Sequence, residues 1–259
     1  MRLLSIDEAK QIELEILAFI DSFCKKNNID YFINYGTLIG AIRHKGFVPW
    51  DDDIDISMTR ENYERFIQLF KREQSKYKIL TLETDERYYN NFIKVVDSTT
   101  RIVDNRNTKT YDSGIFIDIF PIDSFNDTKV IDVCYKLESF KLLSFSKHKN
   151  IVYGDSKLKD LIRTFFWFML RPISPRYFAN QIEKQIQKYS VKDGKYIAFI
   201  PSKFKEKEVF SKEVFEDLFE VPFEHLTLPA PKQYDAVLKQ YYGDYMTLPP
   251  KEKQFYSHE

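Results

Sequence analysis

Residues 31–56 read YFINYGTLIGAIRHKGFVPWDDDIDI: a short apolar run, a Gly-Thr pair, and four aspartates within five positions. The pattern predicts a short strand over 31–34, a helix opening at Gly36 and Thr37 and reaching about Arg43, a loop over 45–52, and a second strand through 54–56. Asp51, Asp52, Asp53 and Asp55 repel one another unless something cationic sits among them. Residues two apart on a strand share a face, about 6.6–6.8 Å apart along the chain. Asp53 and Asp55 are therefore expected to aim into one space suited to Mg²⁺ or Mn²⁺ through oxygen ligands, with Asp51 as a further ligand and Asp52 facing the other way. A solvated acidic turn followed by an ordinary strand is the alternative.

Known uses of such carboxylates divide the field. An EF-hand loop begun at Asp51 would place Ile56 where glycine is required and Asn62 where glutamate is required, so it fails. Phosphatase and sugar-nucleotide D-x-D sites want an apolar strand before the first aspartate, and here Val48, Pro49 and Trp50 precede it. A nucleotidyltransferase-type site has a strand, a Gly-Ser/Thr helix start, a D-h-D strand and a third carboxylate on a neighbouring strand. GIFIDIFPID (114–123) offers that third acid in Asp118, a lone carboxylate in an apolar run that is costly to bury unless a cation pairs with it. A helix cap or salt-bridged aspartate is the other reading of Asp118. Neither a Walker A loop nor a G-x-G-x-x-G fingerprint occurs.

Outside these motifs the composition mostly excludes. The chain has 259 residues, with 39 Lys+Arg balanced by 39 Asp+Glu, which gives no global attraction to nucleic acid. Cys24 and Cys134 stand far apart without zinc spacing and read as two buried thiols. The first residues, MRLLSIDEAKQIELE, do not resemble a signal peptide, and no run of about 18 apolar residues appears, so a cytoplasmic location is expected. Glycine is scarce, seven in all, and Gly36, Gly40 and Gly46 fall within eleven residues. Scarcity makes that segment the place where backbone and ligand are expected to approach closely.

Elsewhere a capping box at Ser5–Glu8 opens a helix expected to end near Asn27, and Thr59 caps another carrying Tyr63, Phe66, Ile67 and Phe70 on one face. Strand-like runs recur at 77–82, 92–97, 100–104 and 115–120. Helical segments follow at 128–147, 157–171 and 176–189, and a last helix is predicted over 230–242. The expectation is an α+β fold: one domain, 1–259, with helices against a small mixed sheet and a mostly helical insertion at about 126–190. Within that insertion LIRTFFWFMLRP (161–172) is dense in aromatics, with Lys157, Lys159, Arg163 and Arg171 in and around it. It reads either as a buried helix or as one lying at a membrane interface.

The stretch 31–56, with Met58, Tyr63, IDIFPID (117–123) and YYGDYMTLPP (241–250), resembles the LicD family of phosphocholine and phospho-alditol transferases, to which fukutin-related protein is related. The resemblance implies a nucleotidyltransferase-like fold and transfer of phosphocholine from CDP-choline to a sugar hydroxyl of a surface glycan or its lipid-linked precursor. Ribitol- or glycerol-phosphate donors, and nucleotidyl transfer from a nucleoside triphosphate, remain alternatives. By the same resemblance Asp53, Asp55 and Asp118 are catalytic and bind Mg²⁺ or Mn²⁺, with Asp51 beside them. Gly36 and Thr37 seat the donor diphosphate. Arg43, His44, Lys45 and Lys94 flank the acidic strands as candidate phosphate contacts. A glycan or lipid-linked acceptor, no nucleic acid, and peripheral contact with the inner membrane face complete the expectation.

Overall fold

Ser5 opens the first helix with both halves of a capping box: its hydroxyl accepts from the Glu8 N–H, and the Glu8 carboxylate accepts from the Ser5 N–H. This helix, α1 (Ile6–Asn27), turns Leu14, Ile16, Leu17, Ile20 and Phe23 inward and stops where Asn28 takes a left-handed φ of 52°. The computed structural model describes residues 3–102, 113–145, 157–170 and 172–254.

After α1 come β1 (Phe32–Ile33), α2 (Tyr35–Ile39) running into a π-helical turn (Gly40–His44), and β2 (Asp55–Thr59). Next are α3 (Arg60–Phe70), capped by the Thr59 hydroxyl, then β3 (Tyr77–Leu80), β4 (Ile93–Asp97) and β5 (Phe116–Phe125). The sheet runs β1-β2-β5-β4-β3, with β2 and β5 parallel and the other pairs on this path antiparallel. The far end of β5 pairs with β6 (Tyr196–Ala198), which pairs with β7 (Phe210–Ser211). β5 is central and covered on both faces, so its sequence is almost continuously apolar, and that makes Asp118 conspicuous. The fold is α+β, a mixed sheet with helices.

Among the described residues three helices lie between β5 and β6: α4 (Lys129–Phe145), α5 (Lys157–Leu170) and α6 (Pro175–Tyr189). Val130, Ile131 and Cys134 of α4 and Ile182 and Ile186 of α6 form a satellite core with Phe125. Buried Lys141 of α4 reaches the Asn91 side-chain oxygen at 3.2 Å, and the Asn91 amide donates to the Ala179 carbonyl of α6, fastening α4 and α6 to the sheet side. A hairpin, β8 (Leu218–Phe223) and β9 (Leu226–Pro231), and α7 (Tyr234–Tyr242) follow.

Two expectations need correction here. The final helix begins at Tyr234, because 226–231 belong to β9. Pro222, Pro229 and Pro231 disguised the hairpin, and a two-stranded ribbon tolerates them because both strands are edges. Residues 100–102 are not in a strand, and residues 103 and 104 of the run expected at 100–104, like residues 146, 147 and 171 of the expected helices, lie outside the described residues. Both cysteines are buried free thiols, as read. Among the described residues no helix is long and apolar enough to cross a membrane.

Candidate active site

Strand register brings the key residues into one row. Asp55 of β2 stands opposite Asp118 of β5, and Asp118 stands opposite Lys94 of β4. Neighbouring strands lie about 4.8 Å apart, so two carboxylates and an ammonium sit side by side on one face. Lys94 Nζ is 2.5 Å from Asp118 Oδ1 and lies over the Phe116 ring at 3.3 Å. Lys94 is thus the cation that a lone acid in an apolar strand required, and at 6 % exposure it is inside the protein. It holds Asp118 and does not line the cavity, so the geometry departs from the phosphate contact expected of it. Burial, then the charges of Asp53, Asp118 and Asp51, push the Asp55 carboxyl well above the usual carboxylate range.

The loop before β2 adds more negative charge. One oxygen each from Asp51, Asp52 and Asp53 lies within 4.8 Å of the others. Asp52 therefore does not turn away as strand alternation predicted, because the strand starts only at Asp55 and these three residues belong to a loop. Burial, then Asp53 and Asp52, raise Asp51 to about 8. A sixth acid, Glu13 of α1, is 6 % exposed and is pushed up to about 9 by burial and then by Asp53, Asp52 and Asp51, with Lys10 opposing. Its Oε2 has no hydrogen-bond partner. The sequence carried a signal for it: Glu13 falls on the apolar stripe with Ile16, Leu17 and Ile20. This dense, all-oxygen set is the chemistry a hard divalent cation takes.

The segment from Asn34 to Thr37 is built against these acids. Asn34 caps α2 with its side-chain oxygen and donates its amide to Ser57 Oγ on β2. Tyr35 then takes a positive φ of 46°, unusual for a side chain of its size. Its hydroxyl donates to Glu208 Oε1 at 2.7 Å, and Tyr241 of α7 donates to the same oxygen at 2.8 Å. Burial lifts Glu208 to about 7 against the hydrogen bonds it receives. Gly36 follows, and any Cβ there would fall 2.3 Å from Asp51 Oδ2. Thr37 is buried, and its hydroxyl accepts from the Asp55 N–H at 2.8 Å, so Thr37 positions β2 while Gly36 faces the cavity.

Above the acids opens a cavity of about 760 Å³. Asp51, Asp53, Asp55 and Asp118 line it together with Gly36 and Arg43. Arg43 donates to the Tyr245 carbonyl at 2.5 Å and lies 6.0 Å from the Trp50 ring, and burial lowers its pKa. His44 accepts from Arg43 and meets Trp50 edge-on, and Lys45 is exposed; neither lines the cavity. Aromatic walls come from Phe92, Phe120 and Phe199 on one side and Tyr242 and Tyr245 on another. Thus YYGDYMTLPP, read as a distant C-terminal motif, closes over the acids, and Glu138 and Leu142 of α4 complete the rim. Nothing in the sequence pointed to Glu208 or to α4.

A protein with paired buried carboxylates on a sheet floor, a glycine-bearing loop and an aromatic-walled cavity has the make-up of a group-transfer enzyme. The family model described as "LicD/FKTN/FKRP, nucleotidyltransferase domain" matches residues 28–151. The chain is 34 % identical over 264 aligned positions to the lipopolysaccharide cholinephosphotransferase LicD of Haemophilus influenzae, covering 98 % of this chain and 96 % of that protein. It is also 33 % identical over 132 positions to an uncharacterised protein of Rickettsia prowazekii, covering 51 % of this chain and 45 % of the other. The chain belongs to the LicD family and is an enzyme of the transferase class.

Proposed function

We propose that this enzyme transfers phosphocholine from CDP-choline to a sugar hydroxyl of a cell-surface glycan or its lipid-linked precursor, as the name of its Haemophilus relative suggests for lipopolysaccharide. The supporting observation is the Asp55–Asp118 pair, beside the acids at 51–53, on the floor of a cavity whose volume suits a nucleotide-sized ligand. In this reading the sheet is nucleotidyltransferase-like, and α4–α6 are an insertion in a single domain. Asp53, Asp55 and Asp118 hold Mg²⁺ or Mn²⁺, with Asp51 as a further ligand. A divalent cation so bound supplies charge neutralisation for the donor diphosphate.

The chain's own groups supply positioning, which phosphoryl transfer needs more than covalent chemistry. Gly36 lets the diphosphate approach the backbone, and the Arg43 guanidinium, held by Tyr245, pairs with a phosphate oxygen. Lys94 fixes one oxygen of Asp118. The other completes the cation site or, instead, receives the acceptor hydroxyl's proton as the hydroxyl oxygen attacks the choline-bearing phosphorus in line and CMP leaves. The aromatic wall suits the quaternary ammonium by cation–π attraction, and this favours choline over a polyol head group.

A donor panel tests the reading: CDP-choline, CDP-ribitol, CDP-glycerol and CTP, each with Mg²⁺ and a glycan acceptor, with the released nucleotide identified. CMP from CDP-choline alone is expected. Pyrophosphate from CTP, or turnover confined to the alditol donors, contradicts it.

A further inference from the structure

Helix α5 is inside out. Leu158, Leu161, Ile162, Phe165, Phe168 and Met169 follow the i, i+3, i+4 spacing of one helical face, and each is between 49 and 68 % exposed. On a soluble helix that face turns inward; here the half-buried positions are Asp160, Thr164, Trp167 and Leu170. The Phe166 ring meets Phe140 of α4 at 5.9 Å, so α5 rests on α4 by its flank. Six large apolar side chains in one exposed stripe exceed the scattered exposure of an ordinary surface.

We propose that this face of α5 docks on a lipid bilayer and lies in its interface. The inference rests on the reading of the acceptor as a lipid-linked glycan, and three observations select a bilayer. First, 14 residues at about 1.5 Å each give roughly 21 Å, too short to span a hydrocarbon core of about 30 Å but suited to lie along it. Second, the sequence sets Lys157, Lys159, Arg163 and Arg171 among and beside the apolar residues, the composition that meets anionic headgroups. Third, α4 links the two features: Phe140 packs on α5, while Glu138 and Leu142 line the cavity, and Leu142 is 57 % exposed at its rim. α4 therefore touches both the helix that docks and the cavity. An acceptor anchored in the bilayer would then reach the carboxylates without leaving the membrane.

Vesicle co-sedimentation of the full chain tests this without donor or acceptor, so its result stands apart from that of the donor panel. Wild-type protein is expected to pellet with phosphatidylglycerol/phosphatidylcholine vesicles. The triple variant Leu161→Glu, Phe165→Glu, Phe168→Glu should lose at least about tenfold in partition, since three apolar contacts are lost and three carboxylates are set against an anionic surface. If that variant misfolds by circular dichroism, a single tryptophan is set on the exposed face by Phe165→Trp in a Trp50→Phe, Trp167→Phe background. Quenching of that tryptophan by brominated-lipid vesicles is then expected. Wild-type protein that stays in the supernatant, a folded triple variant that binds as well as wild type, or an unquenched tryptophan at position 165 overturns the proposal. So does light scattering that shows a wild-type dimer split by the triple variant, which would make the face a contact between copies.

Discussion

The floor of the cavity and the outer face of α5 both invert the usual distribution of polarity, in opposite directions. On the floor, Asp55, Asp118, Lys94 and Glu13 are titratable groups turned inward. On α5, leucines and phenylalanines are turned outward. The sheet groups of the floor meet partners within the chain: Lys94 answers Asp118, and Thr37 ties down the Asp55 backbone. Among the described residues, nothing covers the face of α5 in the same way. A polarity inversion answered from inside reads as chemistry, and one left unanswered reads as a contact surface.

The largest effect should come from the floor. Asp55→Asn or Asp118→Asn is expected to lower kcat by at least about 10³-fold with the fold retained, because charge stabilisation at the reacting phosphate is lost. Steady-state nucleotide release measures it. A variant within tenfold of wild type would break the assignment of these acids.

Removing the answering cation should cost stability. Lys94→Met leaves Asp118, 8 % exposed, without its ammonium, and should destabilise by about 3 kcal/mol, read by urea unfolding. Adding Asp118→Asn should restore part of that loss. An additive double variant would show that the pair is not coupled.

A pH and cation series sharpens the contrast further. Glu208, Asp51 and Glu13 have folded-state values of about 7, 8 and 9 against ordinary values of 4.5, 3.8 and 4.5. The folded protein therefore keeps protons that the unfolded chain releases. Their contribution is fully present below the ordinary values and is lost as pH rises through about 7 to 9. A divalent cation on the cluster competes with the protons of Asp51 and Glu13, so the Tm gain from Mg²⁺ should be larger near pH 8 than near pH 6. An equal gain at both pH values, or none, would remove the cation from the cluster. Gly36→Ala, which drives a Cβ against Asp51, should weaken that same Mg²⁺ effect by about tenfold in apparent affinity.

The smallest effect is expected on α5. Replacing its exposed residues by polar ones should move stability by no more than about 0.5 kcal/mol, because they are already in solvent. A drop of several kcal/mol would mean that this face is core and would end the comparison.

Much of the floor was legible because strands expose their logic to period and composition. Asp118 and Lys94 each stood alone in an apolar run, the capping box at Ser5 named α1, and the Thr59 cap named α3. Register was not legible, since no local signal says that Asp55, Asp118 and Lys94 fall in one row. Glu13 could have been found as an acid on an apolar stripe. Glu208 could not, because its burial depends on Tyr35 and Tyr241, which lie far from it in sequence or on another element. For α5 the composition was plain, but inward and outward faces of an apolar helix look the same until the neighbouring helix is placed.

If the clustered carboxylates carry phosphocholine transfer, Asp53→Ala protein cannot perform it. Choline incorporation into a glycan acceptor from CDP-choline and Mg²⁺ by that variant, with circular dichroism and Tm taken on the same sample, decides the matter. A native spectrum and no transfer above background are expected. A folded Asp53→Ala enzyme that still transfers phosphocholine contradicts that role of the carboxylates.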